Sequence, residues 1–164
     1  MASPFVAIVV GSDSDLPVMK LTCEVLKKFD INYEVRITSA HRTPEDTRNF
    51  VQDADQRGCA VFIAAAGLAA HLAGAVAAST LKPVIGVPID AGPLQGMDAL
   101  LSTVQMPGGI PVATVAIGKT GAKNAGYLAA QIIAVSDANI RSRLVAERDE
   151  NAEIIRQKNK SIDL

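Results

Sequence analysis

Five times along its 164 residues this chain runs through a short apolar segment, closes it with a small or polar turn, and continues at helical spacing. The first such segment, residues 6–10, is uninterruptedly apolar and ends at Gly11, as expected of a parallel strand buried on both faces. The spacing predicts strand 6–10 with helix 15–29, strand 33–38 with helix 44–56, and strand 60–66 with helix 69–79. Strand 84–88 with helix 96–104 and strand 113–117 with helix 122–134 complete the series. Parallel strands need crossover connections, the crossovers are right-handed, and the helices then cover both faces of the sheet. The predicted fold is therefore α/β: a flavodoxin-like three-layer αβα sandwich around a five-stranded parallel sheet. The strand order is not contained in the pattern.

A further stretch, residues 138–160, is charged and helical in spacing, with Ile140, Leu144 and Val145 on one side and Ile154 and Ile155 further along. The chain thus reads as one domain over 1–164, with a core at about 5–134 and a long C-terminal helical extension at about 137–160. That helix either docks on a neighbouring subunit or remains a solvated tail.

With 49% hydrophobic but only 4% aromatic residues, the core must be built of Ala, Val, Ile and Leu. A formal charge of -1 provides no basic field for nucleic acid or an anionic membrane, so any anion must be bound locally, which points to a small molecule. Cys23 and Cys59 sit in apolar or helical surroundings, the pattern of buried thiols in a reducing, cytoplasmic compartment. Residues 1–5 carry no basic targeting segment. The alanine-rich stretch 60–80 is long enough for a membrane span, but Gly67, His71 and Gly74 divide it between a strand and a helix.

The chemistry-bearing residues fall where strands give way to helices. Ser39-Ala40-His41-Arg42-Thr43-Pro44-Glu45 sets an imidazole beside a guanidinium on such a junction. Thr43 is placed to cap the next helix, Pro44 suits its first position, and Glu45 and Asp46 suit its positive first turn. Arg42 offers a fork of donors for phosphate or carboxylate, and His41 a group able to take or give a proton near neutrality. A salt bridge from Arg42 to Glu45 or Asp46, and a hydrogen-bonded loop histidine, are the structural alternatives. Gly11-Ser12-Asp13-Ser14-Asp15 opens the first helix, as either an anion site or a plain capped turn. There Ser12 and Ser14 suit a phosphate oxygen, while Asp13 and Asp15 suit sugar hydroxyls. Residues 64–71 form a third loop of small residues, including Gly67, in which His71 faces the crevice or serves structure alone. Residues 105–111 form a stiff Pro- and Gly-punctuated loop, a shaped contact surface or simply a turn. Gly118-Lys119-Thr120 lacks the first glycine of a P-loop, since position 113 is Ala; no G-x-G-x-x-G occurs, and two histidines and two cysteines show no zinc spacing.

Taken in order, Gly11-Ser12-Asp13-Ser14-Asp15, Ser39-Ala40-His41-Arg42-Thr43-Pro44, Ala69-Ala70-His71-Leu72, Pro83-Val84-Ile85-Gly86-Val87-Pro88, Gln105-Met106-Pro107 and Ala116-Ile117-Gly118-Lys119 carry a resemblance. Over about residues 6–134 the chain resembles the class I N5-carboxyaminoimidazole ribonucleotide mutases of bacterial purine biosynthesis. Animal-type carboxylases of the same family characteristically have lysine and glycine where this chain has Arg42 and Thr43. The resemblance implies a cytoplasmic homo-octamer with sites at subunit contacts and a C-terminal helix reaching a neighbour, using no metal, nucleotide or organic cofactor. It implies movement of a carboxyl group from the exocyclic nitrogen of the ribonucleotide substrate to C4 of its imidazole ring, giving 4-carboxy-5-aminoimidazole ribonucleotide. It further implies functional coupling to the ATP-dependent synthase that makes the carbamate. Position by position, Ser12 and Asp15 would hold the ribose phosphate, Arg42 the phosphate, and His41 would be the acid/base, with Ser39 and Gly67 also against the substrate. The family's third loop commonly reads Gly-Ala-Gly-Gly and later carries a proline; here stand Ala65-Ala66-Gly67-Leu68 and Ala73. A carboxylase using CO2 directly and a non-catalytic nucleotide-binding module are the rival readings.

Overall fold

The computed structural model describes residues 4–162, so part of the reading of residues 1–5 lies outside the described residues. The elements in chain order are β1 (Phe5–Val10), a 3-10 turn (Asp13–Asp15), α1 (Leu16–Lys28), β2 (Asn32–Ile37), α2 (Pro44–Gln56) and β3 (Cys59–Ala66). There follow α3 (Leu72–Ala77), β4 (Val84–Pro88), α4 (Met97–Val104), β5 (Ala113–Thr114), α5 (Gly118–Ala134) and α6 (Ala138–Lys160). All strand pairings are parallel and the sheet order is β2-β1-β3-β4-β5. This is the flavodoxin-like order, and it places the switch in winding direction at β1 and β3, whose carboxyl ends open the crevice where such sheets bind ligands.

Alternation along the central strands divides the core into two layers. Val6, Ile8 and Val10 of β1 and Val61, Ile63 and Ala65 of β3 face α1 and α5. Ala7, Val9, Phe62 and Ala64 face α2 and α3. The scarcity of aromatics is met by close approach rather than bulk. A Cβ on Gly126 of α5 would stand 2.8 Å from Val25 Cβ of α1, and Thr22 donates to the Ala122 carbonyl at 2.7 Å in the same contact. The first part of α6 joins this layer through Ile140 and Leu144, each 9% exposed. Past Glu147 the helix is mostly exposed, including Ile154 and Ile155.

Helices α2 and α6 and strand β4 occupy the predicted residues, and β1, α1, β2, β3 and α4 lie within one residue of theirs at each end; α3, β5 and α5 differ more. The third helix spans six residues rather than 69–79, because Leu68 turns the chain with φ 56° and the loop runs on to His71. The fifth strand is two residues long and α5 begins at Gly118, four residues before the predicted start. Gly118 (φ 69°) makes the corner, and Gly121 lies so close to the Ala116 carbonyl that a Cβ there would be 1.6 Å from its oxygen. Two glycines concealed the helix start because glycine is a poor helix former, whereas here its missing side chain is what the tight entry requires. Thr43 occupies the N-cap position of α2 but makes no capping hydrogen bond; its hydroxyl turns back into the preceding loop.

Candidate functional site

Four loops meet above the carboxyl ends of β1, β2, β3 and β4 around a cavity of about 510 Å³. The first is closed by its own polar side chains. Ser12 is extended and accepts from the Ser14 backbone N–H at 3.3 Å, while the Ser14 hydroxyl donates to Ser12 Oγ at 2.9 Å. Asp15 ends this turn only 5% exposed. Burial pushes its carboxyl above the usual range, the Ser14 and Ser12 hydrogen bonds only partly opposing this, and Asp13 adds repulsion. The capped-turn and ligand-site readings are thus compatible: Ser12 caps the turn, and Ser12, Ser14 and Asp15 line the cavity.

The second loop holds the His-Arg pair in a locked turn. Thr38 extends past β2, its N–H bonded to the Val10 carbonyl at 2.9 Å and its hydroxyl 2.7 Å from that of Thr47. The Thr43 N–H reaches the Ser39 carbonyl at 2.9 Å, the Ser39 N–H reaches Thr43 Oγ1 at 3.0 Å, and the Arg42 N–H reaches Ser39 Oγ at 3.1 Å. Ser39 therefore lines the cavity with its hydroxyl already engaged in shaping the turn. Arg42 also lines it and, among the described residues, makes no ion pair, so the predicted alternative with Glu45 or Asp46 does not form. Its guanidinium stays available to an anion.

The third loop supplies the partner that sequence reasoning left open. His71 stands just before α3, and its Nδ1 is 2.7 Å from His41 Nε2, the rings edge to face with centroids 4.8 Å apart. One facing nitrogen donates and the other accepts, so each imidazole fixes the tautomer of the other. No spacing along the chain could reveal this, since 30 residues separate the two; only the β2-β1-β3 order brings their loops together. Gly67 lies against the loop after β4, where its added Cβ would meet Ala91 Cβ at 2.8 Å. The 105–111 loop packs elsewhere, with Met106 3.6 Å from a Cβ placed on Gly74. Among the described residues no three His, Cys, Asp or Glu side chains are grouped to hold a metal ion, and no helix is long and apolar enough to cross a membrane.

A locked arginine, two hydroxyls and an imidazole pair suit a phosphorylated ligand and a proton transfer beside it. Comparison with known proteins narrows this. The chain is 52% identical over 155 residues to an N5-carboxyaminoimidazole ribonucleotide mutase of Mycobacterium tuberculosis, covering 94% of this chain and 88% of that protein. It is 52% identical over 148 residues to the mutase of the same name from Bacillus subtilis, covering 90% and 91% respectively. The crystal structure of Treponema denticola PurE superposes with a TM-score of 0.90 at 30% identity, covering 98% of this chain and 99% of that one. Residues 5–154 match the family model described as AIR carboxylase, which spans every strand and the four loops above, and the chain belongs to that family.

Proposed function

We propose that this chain is an N5-carboxyaminoimidazole ribonucleotide mutase of purine biosynthesis, an isomerase acting without metal or organic cofactor. The observation that carries the reading is the His41–His71 hydrogen bond beside Arg42, which forms no ion pair among the described residues, in the cavity at the sheet's carboxyl edge. Arg42 takes the substrate phosphate with the Ser12 hydroxyl, Asp15 takes ribose hydroxyls, and Ser39 and Gly67 shape the walls. His41 gives a proton to the carbamate nitrogen; the N–C bond breaks and leaves aminoimidazole ribonucleotide with CO2. C4 then attacks CO2, and the C4 hydrogen leaves as a proton to the same imidazole, restoring aromaticity. His71 keeps the His41 ring in a fixed orientation through both transfers. Recapture outruns escape because the two fragments are held together at high effective concentration.

A CO2-using carboxylase is the second reading, favoured by the description of the family model. Arg42-Thr43 and the names of the relatives cited above favour the mutase. An assay offering the carbamate without bicarbonate, beside aminoimidazole ribonucleotide with bicarbonate at physiological concentration, separates the two. Conversion of the carbamate alone is expected; conversion of only the second substrate makes the protein a carboxylase, and of neither a binding module. His41→Asn is expected to lower turnover by at least about 100-fold, the scale of a lost general acid/base, while ligand binding survives.

As in the resemblance, the working form is a cytoplasmic homo-octamer coupled in function to the ATP-dependent synthase that supplies the carbamate. One catalytic domain occupies the chain, with the extension at 137–160 engaging a neighbouring subunit. Unpaired apolar surface supports self-association: Met97, Leu101 and Val104 recur along one side of α4, each at least 45% exposed.

A further inference from the structure

Leu68 holds a backbone conformation that residues with side chains seldom adopt, φ 56°, in the loop between β3 and α3. Left-handed backbone is unfavourable for such a residue and persists where the surroundings over-determine it. Its own burial does not do so, since the side chain is 50% exposed. What engages it is the loop after β4. A Cβ on Gly92 would lie 2.5 Å from Leu68 Cδ2, and Gly92 is itself left-handed at φ 72°. The adjacent pair repeats the arrangement in reverse, with Gly67 seated on Ala91. The two loops therefore interlock, a small residue against a larger one each time, and both Leu68 and Ala91 line the cavity that contains His41 and His71.

Resting on the carboxyl-transfer reading above, we infer that Leu68 is a specificity-determining residue of that reaction, whose isobutyl group, seated in the notch left by Gly92, retains CO2 beside His41. Breaking the carbamate N–C bond, with a proton taken up by nitrogen, releases a neutral molecule that neither Arg42 nor the serine hydroxyls can hold by charge. Forming the bond to C4, with loss of the C4 proton, consumes it. Between those events only the wall decides whether CO2 meets C4 or solvent. An apolar side chain bridging two loops is a wall of that kind. A glycine at this position would keep the backbone turn and lose the bridge.

The test follows the carboxyl carbon. Carbamate substrate labelled with carbon-13 at the carboxyl is turned over in excess unlabelled bicarbonate, and the labelled fraction of the product is measured with the free aminoimidazole ribonucleotide released. Leu68→Gly relieves the backbone and removes the bridge; Leu68→Asn keeps a residue tolerant of left-handed φ and removes the apolar contact. Both variants are expected to retain severalfold less label and to release correspondingly more aminoimidazole ribonucleotide, with the Tm of Leu68→Gly at or above that of the parent. Parental label retention in either variant overturns the inference and leaves the proposed function standing. Failure of the parent itself to convert the carbamate overturns the proposed function, and this inference with it.

Discussion

At Asp15 the proposed ligand role and the fold make opposing demands. Burial pushes its carboxyl above the usual range, so it binds a proton more tightly in the folded state than in the unfolded chain. The sign follows: no penalty exists below the unfolded carboxyl's range, and stability is lost as pH rises through the elevated folded value. Asp15→Asn is expected to raise Tm at pH 7 by a few degrees, with the gain vanishing toward acid pH, and to weaken binding of the ribonucleotide. Thermal melts across pH with a ligand titration check both. Single residues were unevenly legible beforehand. His41 and Arg42 stood out because two functional groups adjoin at a strand end, whereas His71 gains its meaning from a ring contributed by another loop. Thr43, standing before Pro44, suits a cap, yet its hydroxyl is engaged backward by Ser39, four residues earlier.

Among the elements, α6 is held by a polar clamp as well as by Ile140 and Leu144. The Glu147 carboxylate, 7% exposed, accepts from Lys28 Nζ at the end of α1 and from the Tyr127 hydroxyl of α5 at 2.6 Å. Burial pushes the Glu147 carboxyl up, but the hydrogen bonds from Lys28 and Tyr127 outweigh it and hold the group below the usual glutamate range. Burial and the adjoining carboxylate push the Tyr127 phenol up to about 12, so it remains a donor. The Glu147 contribution is present above the unfolded glutamate range and lost as pH falls through the depressed folded value. Glu147→Gln should lower stability near neutrality by about 1–2 kcal/mol, the half-exposed Lys28 keeping the figure modest. The difference from the parent should shrink as acid protonates the parent's carboxyl, and urea unfolding at pH 7 and pH 4 checks this. Helix α6 itself was plain from its charge and spacing, but its clamp was not, since Lys28 lies 119 residues from Glu147.

For the molecule as a whole, five βα units sufficed for the fold class, because a parallel sheet admits few chain paths. They did not suffice for strand order, which depends on which side of the sheet each helix takes and hence on long-range packing. The order that results puts β2 at an edge with Val35 and Ile37 exposed, and leaves the α4 face bare. Exposed apolar faces of this kind mark association surfaces. With the self-association proposed above, Leu101, 57% exposed, is expected to tolerate change in the subunit but not in that proposed assembly. Leu101→Glu should leave the far-ultraviolet circular dichroism unchanged and shift the mass measured by light scattering to smaller species.

The chain contains two histidines, and the pair at 2.7 Å accounts for both. Every imidazole signal in a proton or nitrogen-15 spectrum of the untagged protein consequently arises from the cavity, with no background and no need for site-specific labelling. Ligand entry, exchange of the shared proton and loss of either ring can all be followed in one otherwise empty spectral window.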